Sequence, residues 1–153
     1  MTRHELVFDL TYSYHLEKMY SVLTGRIDRA ITFIIIAVGF SVFTNLYSHA
    51  WFGALIAGLS VGQVVYQFGR YSGISEDQSR KYLLLKSEAD EIDDAELNQR
   101  FKSLQSQDSS AWGVFSAPAY KRACIVLGLE DQTPKLTVRE KIFAWLAGDL
   151  PKE

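Results

Sequence analysis

Cysteine is almost missing from this 153-residue chain: the single Cys124 excludes an intrachain disulfide. It stands in the polar half with no nearby His, the setting of a small packed residue rather than of a nucleophile. Excess charge of either sign is missing too. Lys and Arg total 16 against 18 Asp and Glu, a formal net charge of −2, which excludes binding to nucleic acid by bulk charge. There is no Gly-rich phosphate loop, no Ser/His/Asp order, no CxxC pair and no internal repeat. No enzyme is therefore expected, no cofactor and no metal.

The most informative absence is local. From Ala30 through Gly69 there is no Asp, Glu, Lys or Arg. The mean hydropathy of −0.02, ordinary for a soluble protein, is thus the average of an oily centre and two charged flanks. The stretch is too long for one transmembrane helix and right for two short ones, Ala30–Tyr47 and Trp51–Gly69. At about 1.5 Å per residue these reach roughly 27 and 28 Å, just enough for a hydrocarbon core of about 30 Å. Ser48, His49 and Ala50 form a short polar break. Tyr47, Trp51 and Phe52 surround it, and Tyr66, Phe68 and Tyr71 mark the other end, as in an interfacial aromatic belt. Arg26 and Arg29 precede the first helix and Arg70 follows the second, while the break has no cation. The positive-inside rule then puts both termini in the cytoplasm and His49 outside. The competing reading is a buried helical hairpin in a soluble all-α domain. Against it, neither helix has a charged face, and a chain this short lacks the apolar surface to wrap two such helices.

Within the second helix Ala54, Gly58 and Gly62 are spaced by four, a small-residue face on which two helices can pack or copies oligomerise. Ser60, Gln63 and Gln67 fall on roughly the opposite side. Ser41, Thr44, Asn45 and Ser48 share one side of the first helix. In lipid these polar groups need partners. They are either hydrogen bonds within one hairpin or the polar lining of a pore formed by several.

The flanks read as helical. Residues 1–29 form an amphipathic helix on Leu6, Leu10, Tyr14, Leu16, Met19, Tyr20 and Leu23, with Gly25 loosening it before the bilayer. His4, Glu5, Asp9 and His15 are expected on a solvated face, since their spacing suits no closed metal site. The membrane hairpin occupies 30–70. A cytosolic segment, 71–105, leaves the bilayer through Ser72 and Gly73, with Ser75 as N-cap of a long helix from about Glu76 to about Leu104. Its acidic run Glu88, Asp90, Glu91, Asp93, Asp94 and Glu96 reads as a solvated face without EF-hand spacing. Ser103–Ser110 reads as a loop or hinge. A small helical module, 111–153, follows. Ser116 caps a helix with Pro118 in its first turn and Gly128 as its stop, and Thr137 with Glu140 forms a capping box. Trp112, Phe115 and Trp145 are expected as a small aromatic core, with a docking surface as the alternative. Lys121 and Arg122 are a modest basic pair. The fold class expected is all-α: a membrane protein with a two-helix transmembrane hairpin, an N-terminal amphipathic helix and C-terminal cytosolic helices.

The arginines at Arg26 and Arg29, the hairpin, and a following helix that reads from Gln78 through Tyr82, Leu83, Leu84 and Leu85 to Glu88, Glu91 and Ile92 make a pattern. Over about Asp9–Leu104 it resembles the two-transmembrane effector superfamily called SLATT, found beside bacterial nucleotide-signalling and phage-defence genes, and small two-helix prophage membrane proteins. The family's helix after the hairpin often carries a His near the position of Gln78 or Ser79, where this chain has none. The resemblance implies a bacterial inner-membrane protein that oligomerises and permeabilises the membrane when a soluble sensor is triggered, with no catalytic residue to transfer. A non-conducting anchor or regulatory subunit, and a holin-like or exclusion protein, are the alternatives. The partners expected are the lipid bilayer, further copies of the chain and a soluble sensor, with no direct contact to nucleic acid.

Overall fold

A computed structural model describes residues 2–41 and 49–152, without the side chains of Ser41, His49 and Ala50. No proline precedes Pro118, so nothing in the first three-quarters of the chain interrupts a helical ladder by losing an N–H. The described residues are helical with no strand. α1 (Arg3–Ser41, 39 residues), α2 (His49–Tyr66), α3 (Phe68–Glu88) and α4 (Asp94–Gln105) come first. A single 3-10 turn (Gly113–Phe115), α5 (Ser116–Leu127) and α6 (Val138–Leu146) complete the order.

α1 is the spine. Its predicted stripe is the buried one, with Leu6, Leu10, Met19, Tyr20 and Leu23 all inside. The lower half packs Leu6 and Leu10 on Tyr82, Leu85 and Ala89 of α3 and on Leu97 and Phe101 of α4. The upper half packs Met19, Tyr20 and Leu23 on Phe115, Ala119 and Ala147. Gly25 does not loosen the helix: α1 runs unbroken through it, with Gly25 buried against Ser72 of α3.

The segment after the apolar stretch differs from expectation. Ser72, Gly73 and Ser75 lie inside α3, which already begins at Phe68. Ser75 is buried rather than capping, its hydroxyl 2.8 Å from that of Ser109. The long helix expected over 76–104 is two helices. Acidic side chains three and four apart repel one another across Glu88–Asp94, and Asp93 supplies a cap, accepting from the Glu96 N–H at 2.8 Å. Arg3 holds the corner. It donates to the carbonyls of Ala89 and Ile92 and pairs with Asp94 at 2.6 Å. α4 then folds back to bury Leu97 and Phe101. Asp93→Ala is expected to lower folding stability by about 1 kcal/mol through loss of that cap, read from thermal unfolding by circular dichroism.

The C-terminal module has no core of its own. Phe115 is buried, but Trp145 is 66% exposed, and Phe143 takes the inner position. The rings of Trp112 and Phe143 meet edge-on at 6.2 Å, and Tyr20 of α1 closes the cluster on Trp112 at 5.5 Å. The register of α6 decides this, since Phe143, Ala144 and Ala147 face inward and Trp145 does not. Ser116 is the first helical residue of α5 and makes no side-chain cap. Gly128 does end α5, in the left-handed conformation (φ 65°), and Thr137 with Glu140 does form a capping box. Lys121 is not a surface cation. It is buried and donates to Asp131 at 2.6 Å and to the Thr133 hydroxyl at 3.0 Å, which holds the Asp131 carboxyl down to about 2.

Candidate functional site

Beyond the body, α1 and α2 expose apolar surface that no other described residue covers. Phe33, Phe40, Trp51 and Val64 are each 70–79% exposed. The stretch Trp51–Glu88, which joins α2 to α3, contains an 18-residue window apolar enough to cross a bilayer by length and composition, and none of that window is buried. It is the one such stretch among the described residues. The described apolar part of α1, from Ala30 to Ser41, is too short by itself to span, so the expected pair of spans is not established. Thr44, Asn45 and Ser48, and the side chains of Ser41 and His49, lie outside the described residues.

At the base of these apolar helices sits a polar knot. Gln63 of α2 donates from Nε2 to Asp28 Oδ1 at 3.1 Å and to Thr32 Oγ1 at 3.0 Å, both on α1. Gly69 lets α3 pass close by: a Cβ there would lie 3.1 Å from Asp28 Oδ2. Between α2 and α3 stands Gln67, in the left-handed conformation (φ 46°, ψ 41°). The bend keeps its backbone bonds, since Gln67 N–H donates to Gln63 O at 3.0 Å and Tyr71 N–H to Gln67 O at 3.1 Å. Its side-chain Oε1 accepts from Arg70 Nη1 at 3.0 Å. A non-glycine residue held there costs about 1–2 kcal/mol. Gln67→Val is therefore expected to destabilise the chain by more than 1 kcal/mol and Gln67→Gly not at all, measured by unfolding in detergent.

The sequence grouped Ser60, Gln63 and Gln67 as one stripe. The structure separates their roles: Ser60 is half-buried on α2, Gln63 turns to α1, and Gln67 forms the joint. Ala54 and Gly58 are exposed, and a Cβ at Gly58 or Gly62 would meet nothing within 4 Å among the described residues, so no described residue packs on this face. The close helix approach lies lower, between α1 and α3. A Cβ on Gly25 would sit 2.7 Å from Ser72 Oγ. Ser21 and Ser72 exchange hydroxyl-to-carbonyl bonds, each 2.9 Å. Sequence reasoning missed this contact although its signal was present: Ser21 and Gly25, like Gly69 and Gly73, are small residues four apart. Of the three flanking cations, Arg29 is exposed, Arg70 holds Gln67, and Arg26 donates to the Leu146 carbonyl at the end of α6.

Deeper in the body a second polar network fixes the loop after α4, which begins at Ser106 rather than Ser103. Glu17 of α1 is buried and accepts from the Ser109 N–H at 3.1 Å and the Ser109 hydroxyl at 2.7 Å. Gln78 and Tyr82 of α3 both donate to Asp108 Oδ1, at 2.9 and 2.5 Å. Burial pushes the Glu17 carboxyl above its usual range, and burial with the Asp108 bond does the same to the Tyr82 hydroxyl. On the module side, burial raises the Asp149 carboxyl, but His15 and Arg122 outweigh it and leave it below its usual range. Loop 106–112 is thus tethered at several points and is no free hinge. His15 faces Asp149 at 3.5 Å rather than open solvent. No three metal-ligating side chains converge among the described residues. No family model matches the chain, and no curated protein or solved structure is significantly similar to it.

Proposed function

We propose that this chain is an integral membrane effector. The apolar end of α1 and α2 cross the bilayer as a hairpin, and the helical body with both termini lies on the cytoplasmic side of a bacterial inner membrane. Copies assemble through Ala54, Gly58 and Gly62 and permeabilise the membrane when a soluble sensor biases the body. The observation that carries this reading is the wholly unburied apolar surface of α2 and upper α1, which water does not tolerate at this size. The Gln63 bonds to Asp28 and Thr32 belong to the closed arrangement, because a polar lining that includes Gln63 and Gln67 requires that amide to leave α1. A potential-sensitive dye during expression tests the proposal. Depolarisation is expected, and Gly58→Leu, which blocks close assembly, is expected to abolish it. An undisturbed membrane potential under full triggering overturns it.

A second reading, a non-conducting anchor for a soluble partner, draws on one observation: the Gln63 amide is satisfied inside the chain, so the hairpin needs no oligomer. Its signature is recovery of a defined partner by the whole chain with no change in membrane potential. The whole chain is needed because residues 111–153 share their core with α1.

A further inference from the structure

The C-terminal module carries an exposed apolar tip that the preceding reading leaves unused. Trp145, Leu146 and Leu150 are 66%, 37% and 41% exposed, and with Arg26 and Gly148 they line an open groove of about 460 Å³. Their position in the fold is fixed from two sides. Ala147 packs into the core with Leu23 of α1, and the Arg26 side chain donates to the Leu146 carbonyl. Gly148 adopts φ 77°, and a Cβ there would lie 3.0 Å from the Arg26 guanidinium, so the turn closes directly on that arginine. The tip is therefore level with Arg26. Four residues on, a rise of about 6 Å along α1, is Ala30, where charged residues stop and the exposed apolar surface begins.

We infer that Trp145, Leu146 and Leu150 dock into the headgroup region of the bilayer that the hairpin crosses. This rests on the membrane reading above. Three observations select lipid as the occupant. The tip is continuous in height with the apolar surface of α1 that starts at Ala30 and Phe33. Its one aromatic is a tryptophan, whose amphipathic ring favours the headgroup level. The charged residue lining the groove is Arg26, with the neighbouring Asp149 already paired to Arg122, so the groove presents a cation to anionic headgroups. Docked this way, the body is held against the membrane at a second point besides α1 and α3, and α6 senses the bilayer surface directly.

The test is fluorescence of the full-length chain in phosphatidylcholine–phosphatidylglycerol vesicles whose acyl chains carry bromine near the headgroup end. Subtracting the signal of Trp145→Phe from that of the native chain isolates Trp145. The exposed position tolerates this change, and Trp112 stays in its core. Trp145 is expected to be quenched by the brominated lipid, shielded from aqueous acrylamide several-fold relative to free tryptophan, and indifferent to dilution of protein in lipid. Full acrylamide access overturns the inference. So does shielding that disappears on dilution, which marks a second copy of the chain as the occupant. The same subtraction with Trp51→Phe reports the hairpin alone. Lipid quenching of Trp51 without that of Trp145 defeats the docking and leaves the membrane reading standing, whereas water access at both defeats both.

Discussion

Gly25→Leu is expected to cost about 3 kcal/mol of folding stability, because it drives a side chain into the contact between α1 and α3. Gly25 is buried, and a Cβ there would lie only 2.7 Å from the Ser72 hydroxyl of α3. The smaller change isolates the contact. Gly25→Ala alone is expected to cost about 2 kcal/mol, since the Ser72 hydroxyl must leave its bond to the Ser21 carbonyl. In a Ser72→Ala background the same change should cost less than about 1 kcal/mol, because the remaining Ser72 Cβ lies 3.6 Å from the added atom, an ordinary contact. Denaturant unfolding in detergent, followed by tryptophan fluorescence, gives the four corners of this cycle. Equal costs of Gly25→Ala in the two backgrounds would show that α1 and α3 do not meet there.

The second large effect belongs to Glu17. Glu17→Leu is expected to destabilise the chain by about 2–3 kcal/mol, because it strands the Ser109 N–H and hydroxyl in the interior. Glu17→Gln keeps an acceptor for the N–H and should cost less than about 1 kcal/mol near neutral pH. The two also differ in pH dependence. Burial raises the Glu17 carboxyl and Asp108 adds repulsion, while bonds from Ser109 and Ser75 only partly counter this. A carboxyl whose pKa is raised by folding binds more protons in the folded state. Stability therefore falls as pH rises from the unfolded value, near 4.5, through the folded one, and stays reduced above it. Glu17→Gln is expected to flatten that fall. The lowered carboxyls Asp131 and Asp149 act in the other direction: their contribution is present above their unfolded value of 3.8 and is lost as pH drops below it. Chemical unfolding across pH 4–8 separates the two, and an unchanged slope for Glu17→Gln would show that this carboxyl does not titrate in the interior.

The parts of the fold that periodicity alone determines were readable from the residues. The Leu6, Leu10, Met19, Tyr20 and Leu23 stripe, the Thr137–Glu140 capping box and the Gly128 stop all depend on side chains within a few positions of one another. What could not be read depends on long-range partners. Ser75 has the chemistry of an N-cap, and only the arrival of Ser109 makes it a buried hydroxyl. Lys121 resembles a solvated cation until Asp131 and Thr133 fold over it. Trp145 and Phe143 are two positions apart, and the docking of α6 on α1 decides which is inside. Gln67 shows the limit most clearly, because nothing in a glutamine signals a left-handed backbone. Two residues past the joint, Gly69 lets α3 settle against Asp28. At the candidate site the apolar stretch, the flanking arginines and the polarity of Gln63 and Gln67 were visible in the sequence, whereas the partners of Gln63 and of Arg26 were not.

The unequal construction of the two apolar helices has a mechanical consequence. α1 is one 39-residue rod, about 58 Å long, with Leu6 clamped in the core at one end and Phe40 bare at the other. α2 joins α3 across the bent residue Gln67 and is tied to α1 by the Gln63 amide. Torque applied to the body about the axis of α1 is therefore delivered to its far end angle for angle, while the compliance of the pair is concentrated beside α2. A twist of a few degrees among α3, α5 and α6 therefore loads the Gln63 bonds to Asp28 and Thr32, which tie the two apolar helices together.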